Sequence, residues 1–124
     1  MHPPLLCRIA ALAALGWVAL TIPPAFAHAI IVETAPQADA VVHGGALEVR
    51  LRFNSRIDHR RSRLTVMDEV GKETVLPLDT RAPTDVLAAQ VRGLAPGKYR
   101  VRWQVLALDG HITRGDIPFT VAAP

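Results

Sequence analysis

Hydrophobic and polar residues alternate with a period of two along most of this chain. Leu47, Val49, Leu51 and Phe53 interleave with Glu48, Arg50, Arg52 and Asn54. Tyr99, Val101, Trp103 and Val105 do the same with Lys98, Arg100, Arg102 and Gln104. Successive side chains of a strand point to opposite faces, so each run predicts a strand with one face buried. Shorter strand-like runs lie at 30–33, 63–68, 73–78, 86–92 and 117–121. Turn signals separate them: Gly44-Gly45, Gly71, Ala82-Pro83, Pro96-Gly97 and Asp109-Gly110. Past residue 27 no segment carries an apolar stripe at helical spacing. About seven short strands at these intervals predict an all-β domain, a Greek-key β-barrel or β-sandwich. Pro118 has no N–H for a ladder, so its strand is expected at an edge, or with that position facing outwards.

The beginning of the chain follows another pattern. One positive charge, Arg8, precedes an apolar run over residues 9–22, which Pro23 and Pro24 interrupt before Ala25-Phe26-Ala27. This is the layout of a secretory signal peptide over residues 1–27, cleaved after Ala27. The run has 14 residues, whereas a membrane-spanning helix needs about 20. Cys7 lies ahead of the run and not at the cleavage point, which argues against a lipid-modified cysteine. Residues 28–124 are then the exported domain, with a periplasmic location expected.

Export changes the available chemistry. The only cysteine of the chain is Cys7, so the domain has neither disulfide nor thiolate, and Cys-based zinc and iron–sulfur sites are excluded. Lys and Arg number 14 against 11 Asp and Glu, and they interleave along the strands without forming a block. Only six aromatic residues accompany them (Trp 2, Tyr 1, Phe 3). Nucleic-acid recognition gathers basic residues on one surface, with aromatics among them, so no nucleic-acid partner is expected.

Cleavage after Ala27 makes His28 the first residue. A terminal histidine offers the free α-amine and the ring Nδ1 to a single ion, whereas an internal histidine has only an amide beside its ring. The α-amine ordinarily titrates near pH 7.7–8.0, so a metal displaces its proton readily. The second element is Asp109-Gly110-His111. On an extended backbone residues two apart share a side, which would bring Asp109 and His111 together at the end of the strand through Trp103. An amine, two imidazoles and a carboxylate form an N,O set that suits Cu(II), the strongest binder among the divalent first-row ions. Each element also has a plainer reading: Asp-Gly is a common hairpin turn, and a single histidine is more often a surface side chain. His43, beside Gly44, and His59, in the arginine-rich loop 54–63, are expected to be solvated loop residues. Met67 is expected to pack in a strand. With Met1 as the only other methionine, a thioether-based Cu(I) site is excluded.

These residues resemble the CopC family of periplasmic copper-resistance proteins. The stretch HAIIVETAP (28–36) is similar to the mature start of that family, and LEVRLRFNSRI (47–57) to its first long strand. LAPGKYRVRWQVLALDGHITRGDIPFTV (94–121) resembles its carboxy-terminal signature, with a P-G-x-Y turn, a D-G-H and a closing F-T-V. Arg56 departs from the pattern, standing where many members have proline, and Pro118 interrupts the last strand. The resemblance implies a Greek-key β-barrel and one Cu(II) ion per chain, held by His28, Asp109 and His111. It also implies a carrier or buffer role without catalysis, and an inner-membrane copper transporter of the CopD type as partner. Two alternatives remain open at this point. One is a copper oxidative enzyme with a histidine brace, as in lytic polysaccharide monooxygenases. The other is a β interaction module with incidental histidines.

Overall fold

The computed structural model describes residues 29–124; the signal peptide expected over residues 1–27 and the expected ligand His28 lie outside the described residues. Eight strands form two sheets packed face to face, a sandwich and not a closed barrel. The first sheet holds β1 (Ile31–Ala35), β3 (Leu47–Phe53) and β6 (Val86–Val91) in the order β1-β3-β6. The second holds β2 (Ala40–His43), β8 (Ile112–Ala122), β7 (Gly97–Leu106), β4 (Arg63–Met67) and β5 (Glu73–Val75) in the order β2-β8-β7-β4-β5. All pairings are antiparallel except β2 on β8.

The two long alternations do what their period dictates. Val49, Leu51 and Phe53 from β3 face Val101, Trp103 and Val105 from β7 across the sandwich, and all six are buried. Phe53 and Trp103 meet edge to face at 5.5 Å, while Tyr99 stacks on Phe119 at 5.6 Å. The Tyr99 hydroxyl donates to Ala95 O at 2.6 Å, giving its half-buried ring a satisfied polar end. In β6 every residue from Val86 to Ala89 is buried, and its free edge is partly taken up by Asp79 N, which donates to Ala88 O.

Three local features differ from the sequence expectation, while Pro118 meets the second of its two alternatives, on the outward parity of β8 opposite Ile117 and Phe119. The eighth strand, β2, has only four residues and ends at His43, so His43 closes a strand and does not sit in a turn. Strand β8 is eleven residues long and pairs with β7 from Ile112 onwards, well before residue 117. Strand β5 stops at Val75 and not at residue 78. Pro118 lies in a strand flanked by β7 and β2, not at a sheet edge. Its carbonyl accepts from Asp39 N, on the side away from β7, and pairing with β2 begins only at Phe119. The missing N–H therefore points where no partner strand needs it.

Gly115 is paired with Trp103 between β8 and β7. A Cβ built there would stand 2.6 Å from the indole ring, inside van der Waals contact. Gly115→Ala should therefore displace Trp103 and cost about 1–3 kcal/mol, the usual penalty for overpacking a core. Urea unfolding followed by tryptophan fluorescence measures this; a variant as stable as the parent would mean that the indole has room to move.

The surface charges largely answer one another across strands. Arg102 donates to Asp116 at 3.0 Å and to Glu73 at 2.8 Å, and these bonds, that to Asp116 foremost, raise its pKa. Arg52 donates to Glu33 at 2.9 Å and holds that carboxyl below its ordinary range. Such exposed pairs contribute little to stability.

Candidate metal centre

Strands β7 and β8 are joined by a tight hairpin. Ala107 N donates to His111 O and Gly110 N donates to Ala107 O, both at 2.9 Å. Gly110 has φ +88°, whereas neither Leu108 nor Asp109 has positive φ. This is a three-residue loop, a turn followed by a left-handed glycine, and not the two-residue Asp-Gly turn of mirror-image type. The base of the hairpin is braced from the neighbouring loop. Ile57 bridges Ala107, Asp58 N donates to Leu106 O at 2.8 Å, and Leu106 N donates to Ser62 Oγ at 3.2 Å.

Within the loop Asp109 folds back onto His111 with both oxygens. Oδ1 accepts from His111 N at 3.0 Å, and Oδ2 lies 3.1 Å from His111 Nδ1. The Asp109 side chain is 24% exposed and that of His111 44%, so both reach solvent at the rim of the sandwich. The sequence brings these two together for the wrong reason. Residues 108–110 form a turn and not an extended strand, and the two side chains meet because a carboxylate accepts from the amide two residues on. Among the described residues, no group of three or more His, Cys, Asp or Glu stands together as a metal cage.

The other described histidines are placed elsewhere. His43 pairs with Ala122 at the far end of β8, ten residues or roughly 33 Å of strand from Ile112. His59 opens a short 3-10 turn (His59–Arg61) and is half-buried, with Nε2 2.6 Å from Val86 O. It is a structural residue tying the loop to β6, not the solvated side chain expected from the sequence. Met67 is half-buried in β4, on the parity opposite the core residues Leu64 and Val66.

The beginning of the described chain reaches the same end of the fold. Ala29 is buried, and its carbonyl accepts from Thr113 Oγ1 at 3.2 Å. Thr113 is two residues beyond His111. Ile30 N donates to Asn54 Oδ1 at 2.8 Å, and Asn54 N donates back to Ile30 O at 2.9 Å. Sequence reasoning passed over both residues. The available signal was Thr113 itself, a hydroxyl in the inward-facing parity of β8 with Ile117, Phe119 and Val121, where a polar atom needs a partner.

A family model for the CopC domain matches residues 31–122. The chain belongs to the CopC family. Its fold is similar to that of CopC from Methylosinus trichosporium OB3b, with 31% identity, a TM-score of 0.69, and 77% of this chain and 94% of that one covered. It is also similar to PcoC, a methionine-rich copper resistance protein from Escherichia coli, at 26% identity and TM-score 0.60, covering 77% and 99% of the two chains. Among curated proteins, YobA of Escherichia coli K12 is 28% identical over 82% of this chain and 85% of its own. The copper transport protein CutJ of Bacillus subtilis is 26% identical over 77% of this chain, a match spanning only 18% of CutJ. Membership in the CopC family decides between the open alternatives: the domain is a binding protein and not an enzyme.

Proposed function

We propose that residues 1–27 are removed on export and that the domain beginning at His28 carries one Cu(II) ion in the periplasm. The ligands are the α-amine and ring of His28, a carboxylate oxygen of Asp109 and the ring of His111. The carrying observation is the Asp109–His111 pair, 3.1 Å apart on a braced hairpin, with the chain entering at Ala29 against the same hairpin. The donor set contains no thiolate. The relative PcoC is named as methionine rich, whereas this chain has two methionines, Met1 and Met67. Both facts favour Cu(II) over the softer Cu(I). CutJ, in which a segment like this domain is a small part of a copper transport protein, supports delivery to an inner-membrane transporter of the CopD type.

Mass spectrometry of the exported protein should return residues 28–124 with an unblocked amine. Competition titrations should then show tight Cu(II) binding and much weaker Cu(I) binding. Cu(II) affinity should fall as pH drops from about 8 to 5, since protons compete with the ion for the α-amine and both imidazoles. Equal retention of Cu(I), or a Cu(II) affinity flat with pH, would rule out this ligand set.

A further inference from the structure

The peptide unit between Ala29 and Ile30 is held at both ends by side chains from opposite sheets. Its carbonyl accepts from Thr113 Oγ1 on β8, in the five-stranded sheet, at 3.2 Å. Its N–H donates to Asn54 Oδ1, just past the end of β3 in the three-stranded sheet, at 2.8 Å. Asn54 N then donates to Ile30 O at 2.9 Å, so three consecutive backbone groups are engaged. The peptide plane is rigid, and only the two backbone dihedrals of Ala29 separate it from the Cα of residue 28. Ala29 is 2% exposed and its methyl belongs to the core cluster, which restrains those dihedrals as well. Folding alone thus fixes the Ala29–Ile30 peptide against Thr113, two residues beyond His111.

We propose that Thr113 and Asn54 are positioning residues for the copper site, a two-sheet clamp that presents the terminal amine and imidazole of His28 to the Asp109–His111 pair. The inference rests on the reading of His28 as the first residue and a ligand. A loose terminus would have to be ordered each time the ion binds, and fixing one residue's backbone costs about 1–2 kcal/mol. The clamp meets that cost during folding for Ala29, the residue that leads to the terminus.

The test uses the mature domain with Thr113→Val, which keeps shape and removes the hydroxyl, Thr113→Ser, which restores it, and Asn54→Ala. Val121→Ala, a core truncation at the other end of β8, reports the effect of lowered stability alone. In the copper-free protein, Asn54→Ala and Thr113→Val should speed hydrogen exchange at the Ile30 amide. Thr113→Val should raise the Cu(II) dissociation constant about tenfold, the loss equivalent to one ordered residue, and alter the electron paramagnetic resonance spectrum. Thr113→Ser should recover both, and Val121→Ala should change neither. Acetylating the α-amine separates this inference from the reading beneath it. Wild-type Cu(II) affinity in Thr113→Val, together with lost binding on acetylation, overturns the clamp and leaves the site standing. The clamp also fails if Val121→Ala weakens binding as much as Thr113→Val does. Undiminished binding after acetylation overturns the site, and the clamp with it.

Discussion

Acetylating the α-amine of His28 should lower Cu(II) affinity by at least about 100-fold while leaving the fold unchanged. Groups that merely support a metal ligand typically cost 10–100-fold when removed, and here a ligand itself is lost. Acetylation converts the amine to an amide, which keeps its proton near neutral pH, and opens the chelate ring formed by amine and Nδ1. The reaction can be made selective. The α-amine ordinarily titrates near 7.7–8.0 and lysine near 10.4, so at mildly acidic pH the terminus reacts ahead of Lys72 and Lys98. No described core contact depends on that amine, so far-UV circular dichroism and the unfolding temperature of the copper-free protein should not move. Equal copper binding by the acetylated and free proteins would mean that His28 does not chelate through its terminus.

The long alternating strands were legible because their information is local. Val49, Leu51 and Phe53 alternate with charged residues in β3, and Val101, Trp103 and Val105 do so in β7; both sets are buried as their parity requires. Strand β2 was not legible. Its four residues carry too short a pattern, and they become a strand only by pairing in parallel with the end of β8. The early part of β8 was hidden by composition. Ile112 to Asp116 reads as a polar loop with a glycine, yet the glycine is required there because the Trp103 indole lies over it. Asp109 and His111 were recognisable as a pair from residue type and spacing, but the turn that joins them was not. The clamp on Ala29 and Ile30 lay beyond local reasoning, since its side chains come from 84 and 24 residues away.

Substitutions at the hairpin should rank the two ligands it supplies. His111→Ala removes a ring nitrogen and should lower Cu(II) affinity by more than about 100-fold, with a changed visible and paramagnetic resonance spectrum. Copper-free stability should hardly alter, since nearly half of that side chain is exposed. Asp109 acts twice, through Oδ1 on His111 N and through Oδ2 beside His111 Nδ1. Asp109→Asn retains an oxygen for the backbone bond and removes the charge, so the turn survives while the imidazole loses its anionic partner. A drop of about 10–100-fold is expected, smaller than at His111, because a neutral amide oxygen stands in for the charged one. Asp109→Ala loses the turn bond as well and should bind more weakly than Asp109→Asn. The remaining histidines supply the contrast. His43→Ala should change nothing, because its side chain sits at the far end of β8. His59→Ala should lower stability by about 1 kcal/mol through the lost bond to Val86 O, with copper affinity intact. If His59→Ala lost copper as His111→Ala is expected to, the metal would lie on the other side of the 3-10 turn, and the hairpin would not be its site.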